Sequence, residues 1–281
     1  MKAMAFLQDI WDRAVALSAE LFWVSLVALA IALLVKRGQA VEDGLRSWRE
    51  IRLNLIYQAV DLVAIIPLAV LLVEAISTGV QTLGIALVGS EVYAEWPGWL
   101  VLLLCLLISD FTGYWRHRLL HTSVLWPVHA IHHSDREMTF TTLMRFHPIN
   151  RMVTVGLNAL VLAIMGMPTG AIALNSLIRH YYGYYVHAHL PWSYGPLKRI
   201  FVSPVMHRWH HVREVEGSGA NFATIFAFYD WVFGTHYMPN RPVPDLGVDD
   251  RGFPDSWLGQ QIFPFRVWLG LIPPEEEPRP R

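Results

Sequence analysis

The sequence predicts an all-α integral membrane protein with about four to five transmembrane helices and a cytoplasmic helical cap. Three observations carry that expectation. The 281-residue chain is 54% hydrophobic and only 16% charged, and its mean hydropathy of +0.34 suits lipid rather than water. Its apolar residues come in runs long enough to cross a bilayer, and its basic residues crowd between those runs.

No Lys or Arg lies between Arg13 and Lys36, and the apolar run 15–35 is long enough, as a helix, for a hydrocarbon core of about 30 Å. The segment before it, MKAMAFLQDIWDR, carries acids and no small-residue cleavage site follows, so a removed signal peptide is not expected. A second span is expected at about 53–73. It holds one intramembrane charge, Asp61, and Pro67, a residue tolerated where neighbours re-satisfy the freed carbonyl. The third, about 97–115, leads directly into HRLLH at 117–121. A fourth and fifth, about 152–165 and 169–185, are shorter and more polar and are joined by the turn-like GMPTG. Beyond residue 240 proline and charge dominate, so 241–281 reads as a surface segment ending in a loose tail.

Orientation follows from the basic residues. Lys36, Arg37, Arg46, Arg49 and Arg52 crowd the loop after the first span, whereas 53–115 has no Lys or Arg and its loop carries Glu74, Glu91 and Glu95. Short loops rich in Lys and Arg stay cytoplasmic. With spans four and five as a hairpin entered and left from that side, HRLLH, HAIHH, RFHP and everything after residue 186 share the cytoplasmic face. The net charge of −1 gives no general pull toward nucleic acid, and the single cysteine, Cys105, excludes an intrachain disulfide framework and a thiolate metal cluster.

Thirteen histidines are present, and eight fall in three clusters: His117 and His121; His129, His132 and His133; His207, His210 and His211. On a helix, residues three and four apart lie on one face with Cβ atoms about 5–6 Å apart, so each cluster presents a face able to hold a metal ion. Eight imidazoles exceed what one ion takes, since a structural zinc closes at four ligands. Two metals are implied.

These residues resemble the membrane-bound fatty acid hydroxylase and sterol desaturase superfamily, whose members are non-haem di-iron enzymes. DFTGYWRHRLLH resembles its first histidine box, and LWPVHAIHHSDREMTFTTLMRFHP its second box with the following arginine and HP step. YYVHAHLPW, FVSPVMHRWHH and NFATIFAFYDWVFGTHY resemble its later histidine, third box and closing signature, in that order. The resemblance runs from about 97 to 240, which then reads as the catalytic domain, with 1–96 as an N-terminal transmembrane region. It implies that His117, His121, His129, His132, His133, His187, His207, His210 and His211 are ligands of two iron ions. His147, His180 and His189 are extra candidates for ligation or for a merely supporting role. The chain departs from the family pattern at Asn150, where many relatives carry an acid, at Val212, and in HAH and NF.

Asp110 lies seven residues before His117, two helical turns on the same face, where it could orient a ligating imidazole or face a polar cavity. Asp230 and Asn221 could do the same for the third box, or cap turns. Trp115, Trp126, Tyr181, Tyr182, Tyr184 and Tyr185 could line a substrate cleft or anchor at the headgroup level. Arg116 and Arg118 could meet lipid phosphates or a redox partner. The resemblance implies an oxygenase acting on a lipid drawn from the bilayer, with O2 as co-substrate and electrons from a separate redox protein. Desaturation by the same site is the alternative; a metal transporter or storage protein is a third reading, which predicts ligands at mid-membrane depth.

Overall fold

A computed structural model describes residues 2–213, 219–248 and 252–272. The chain is built from helices joined by loops. α1 (Lys2–Lys36) is followed by the short amphipathic α2 (Gln39–Arg46), and then by α3 (Trp48–Val60), which runs through a π-helical turn, Asp61–Ile65, into α4 (Ile66–Leu83). Pro67 accounts for that turn. It brings no N–H, and its ring crowds the carbonyl four residues back, so the backbone widens by one residue and the helix continues.

α5 (Gly98–Leu120) carries the first histidine pair at its end, and α6 (Trp126–His133) carries the second cluster. α7 (Pro148–Ile164) and α8 (Thr169–His187) follow, joined by a short turn, with α7 against α4 and α5, and α8 against α5. α9 (Pro204–His210) bears the third cluster, α10 (Phe228–Val232) the closing motif, and α11 (Trp257–Trp268) packs on α6. The N-terminus of α9 is capped by Ser203, whose hydroxyl accepts from the N–H of Met206 at 3.1 Å.

Among the described residues three helices are long and apolar enough to cross a membrane: Ala19–Lys36, Trp48–Leu83 and Gly98–Leu120. They correspond to the first three expected spans, with the second and third longer than the sequence suggested. The expected fourth and fifth fall short of this. α7 is apolar but has 17 residues, about 26 Å, and α8 has the length but carries Asn175, Arg179 and His180. Trp257–Trp268 is a helix within the expected surface segment. Its Gln260, Phe263 and Val267 are buried, and Gln260 accepts from Tyr57 Oη at 2.8 Å. The loose tail, from residue 273 on, lies outside the described residues.

Two buried polar links join the first helices to the histidine-bearing half. Asp61 pairs with Arg151 of α7. Arg145, of the RFHP stretch and 1% exposed, pairs with Glu50 and donates to Asn54 Oδ1 at 2.6 Å and Ser134 Oγ at 3.0 Å. Asp135, next to the second cluster, accepts from Asn54 Nδ2 at 3.1 Å and Thr142 Oγ1 at 2.6 Å. A buried charge set needs this degree of pairing to be tolerated, and here it fixes α6 against α3.

Candidate metal centre

The nine histidines sort into two adjoining groups. His117, His121, His129, His133 and His210 form one; His132, His187, His207 and His211 form the other, and within each group one ligand atom per residue lies within 4.8 Å of the rest. All nine are buried. The groups touch where the His133 and His211 rings stack, 4.3 Å between centroids.

The helix period explains the sorting. At 100° per residue, positions i and i+4 diverge by about 40°, whereas i+3 turns about 60° the other way. His129 and His133 therefore face one group and His132 the other. In α9 and its C-cap, His207 and His211 face the second group and His210 the first. Each HxxHH cluster thus divides between two groups instead of presenting the single face expected from spacing alone.

Four of the outer ring nitrogens are held by acceptors. Nδ1–H of His117 donates to the Phe222 carbonyl at 2.9 Å, that of His129 to Asn150 Oδ1 at 2.9 Å, that of His187 to Gly183 O at 2.7 Å, and that of His210 to Ala220 O at 2.7 Å. A carbonyl only accepts, so each of these imidazoles carries its proton on Nδ1 and turns an Nε2 lone pair inward. Yet His117 Nε2 and His129 Nε2 are 3.0 Å apart. With both outer protons spent, neither can donate to the other. In the other group His187 Nε2 lies 3.2 Å from His132 Nε2 and 3.0 Å from His207 Nε2, and the Nδ1 atoms of those two rings have no hydrogen-bond partner among the described residues. Among the described residues both ring nitrogens of His121 and His211, and the Nε2 atoms of His133 and His210, have no hydrogen-bond partner. The facing lone pairs of His117 and His129, with no proton between them, fit a cation in the first group, and the convergence of four buried ring nitrogens fits one in the second.

Burial keeps these rings neutral. It pulls His129 down to about 3, with the His210 charge adding to it, and pulls His210 down to about 4. His121, His133, His207 and His211 are all held well below the ordinary imidazole value by burial first and by neighbouring rings second. A neutral imidazole is the metal-binding form.

The supporting residues are arranged differently from the sequence reading. Asp110 touches no imidazole. Its fully buried carboxylate accepts from Arg179 Nη1 at 2.7 Å and from the N–H groups of Thr224, Ile225 and Phe226 at 3.3, 3.1 and 2.7 Å. Two turns along α5 carry it past the ring it was expected to orient, onto the loop before α10. Asp230 acts one step removed from the cage. It accepts from Phe222 N at 2.7 Å and Ala223 N at 3.1 Å, fixing the carbonyl on which His117 depends. Burial pushes its carboxyl up to about 7 against those hydrogen bonds and that of Thr235. Asn221 also touches no imidazole. It takes the left-handed conformation that asparagine tolerates (φ 60°) and bridges Met206 O at 3.1 Å and Tyr237 O at 2.6 Å.

His147, His180 and His189 are in neither group. His147 caps α7 and lies 3.2 Å from Gln261 O; His180, exposed on α8, meets Glu20 at 2.7 Å; His189 faces Asp43 at 3.4 Å. Sequence reading missed the role of Asn150, marked only as a departure from the family pattern, and the three backbone carbonyls, which leave no mark in a side-chain pattern.

A cavity of about 1550 Å³ runs from the start of α5, at Trp96 and Gly98, to His117, His129, His132, His187 and His207. Arg116 and Tyr184 line it, whereas Trp115 and Tyr181 stay half-exposed and Trp126 packs on His121 and His133.

Residues 102–235 match the fatty acid hydroxylase family model. Ornithine lipid hydroxylase OlsE of Rhizobium tropici is 30% identical over 173 residues, 61% of this chain and 52% of that protein. Human alkylglycerol monooxygenase is 29% identical over 135 residues, 48% of this chain and 30% of that one. Methylsterol monooxygenase 2-2 of Arabidopsis thaliana is 29% identical over 133 residues, 46% and 49%. The matched stretch thus spans about half of the first relative's length and under a third of the second's. No solved structure matches the chain.

Proposed function

We propose that the protein is a membrane-bound di-iron lipid oxygenase of the fatty acid hydroxylase and sterol desaturase superfamily, a reading supported by the match of residues 102–235 to the family model and by the lipid hydroxylase and monooxygenase relatives. His117, His121, His129, His133 and His210 would hold one iron, and His132, His187, His207 and His211 the other. Iron bound there supplies the redox chemistry for placing one atom of O2 in an unactivated C–H bond, the other leaving as water with two electrons and two protons from outside. Zinc, which has no redox chemistry, could not.

The observation that carries this reading is the pair of deprotonated Nε2 atoms of His117 and His129, 3.0 Å apart in a buried all-imidazole group at the end of a long cavity. The chain's own residues do three things. Phe222, Asn150, Gly183 and Ala220 fix the tautomers. The cavity leads an alkyl chain or ring to the cages. Asp110 and Asp230 hold the loop that closes over them.

α7 and α8 would complete a bundle of up to five spans, with the cages on the cytoplasmic side where an external redox protein can reach them. Hydroxylation is preferred over desaturation because the three relatives described above are hydroxylases and monooxygenases. A transport role would need ligands at mid-membrane depth, and these cluster at the helix ends. Purified protein is expected to hold about two irons per chain and to take up oxygen when reduced. Metal-free protein that still turns over lipid would sink the reading.

A further inference from the structure

Four residues of α8 at i+4 intervals, Asn175, Arg179, Gly183 and His187, all line the cavity. Three have evident tasks. His187 belongs to the second cage, and Gly183 gives its carbonyl to that ring; a Cβ at Gly183 would sit 2.9 Å from a Leu143 methyl. Arg179 is neutralised by Asp110 and crosses over Gly113, where a Cβ would come within 2.9 Å of its Nη2. Asn175 has none. It is fully buried, and among the described residues neither its Nδ2 nor its Oδ1 has a hydrogen-bond partner.

An amide with donor and acceptor both unsatisfied is costly in an apolar wall, where leucine would pack at no such cost. Its complement is a group that offers an acceptor and a donor together. Hydroxyls and secondary amides do so; esters, ethers and hydrocarbons do not. The position matters as well. Asn175 precedes His187 by twelve residues, about 18 Å along the helix axis, on the order of a dozen bonds of an extended alkyl chain.

We propose that Asn175 is the polar anchor of the cavity, and that the substrate is a lipid bearing a hydroxyl or secondary amide about 18 Å from the carbon presented to the cages. This rests on the oxygenase reading for the word substrate, but binding tests it without turnover. Metal-loaded protein in nanodiscs is titrated with four probes of matched chain length: a long-chain alcohol, an N-methyl fatty amide, a methyl ester and the hydrocarbon. Displacement of a fluorescent lipid reports affinity.

The alcohol or the amide is expected to bind about ten- to a hundredfold tighter than ester and hydrocarbon, and which of the two does so identifies the group. Asn175→Leu is expected to erase that preference while iron content stays as in the wild type and the thermal unfolding midpoint is at least as high. Equal binding of all four probes by the wild type overturns the proposal, and needs no variant to fold. A preference that survives in Asn175→Leu, or in Asn175→Ala should the leucine variant misfold, also overturns it. Iron analysis of the same samples separates the two readings: retained preference without iron sinks the oxygenase and leaves the anchor standing.

Discussion

Replacing Asn150 with leucine removes the acceptor 2.9 Å from His129 Nδ1. Asn150 is 1% exposed, and the leucine side chain fills the space its amide leaves, so no water replaces the lost acceptor. His129 then either keeps a buried N–H without an acceptor, at about 1–3 kcal/mol, or moves its proton to Nε2 and loses the lone pair aimed into the cage. Both routes weaken metal binding, by about 10–100-fold for loss of such a supporting contact. Because His129 belongs to the five-histidine group alone, the loss falls on one of two ions. Titration of metal-free protein with ferrous iron, followed by iron analysis after gel filtration, is expected to show two tight equivalents for the wild type. Asn150→Leu should show one tight and one weakened, and Asn150→Asp, which keeps an acceptor, should retain both. Equal weakening of the two equivalents, or no change in either, would refute the assignment of separate cages.

Exchange of His147, His180 or His189 for Ala is expected to leave iron content at the wild-type level, since all three lie outside both groups; loss of an ion in any of them would show the groups are wrongly drawn. Arg145→Met strips the partner from Glu50 and leaves Asn54 Oδ1 buried without its donor. A cost of about 3–5 kcal/mol should appear as a clear drop in thermal unfolding temperature in detergent, and an unchanged midpoint would contradict the network. For pH, burial lowers His129 to about 3 and His210 to about 4, below the ordinary imidazole value of 6.5. Between pH 6.5 and 4 the unfolded chain therefore binds more protons than the folded one, and stability falls as pH falls, on the order of 1 kcal/mol per pH unit for each such ring. Unfolding midpoints of metal-free protein should decrease over that window; a flat profile would mean the rings are not buried neutral.

Three spans, their order and the histidine clusters were legible in the sequence because each rests on local chemistry. Apolar runs report their solvent, and HRLLH, HAIHH and HRWHH report ligand spacing within single helices. His187 was legible by resemblance to a family, since it is set 20 residues before His207. The role of Asp110 was misread for the opposite reason. Helical spacing placed it on the face of His117, but its partners are N–H groups of a loop 114 to 116 residues away, and no local rule reaches that far.

The sequence by itself determined that this chain belongs in lipid and carries enough imidazole for two metals, since hydropathy and helical spacing are properties of short segments. Only the tertiary structure decided how the imidazoles divide. The 3.6-residue period turns the members of each HxxHH cluster toward different neighbours, and which neighbours stand there depends on how α5, α6, α8 and α9 pack. It alone also showed which carbonyls fix the tautomers and which amide is left facing an open cavity, because partnership between polar atoms is settled by contact across the chain.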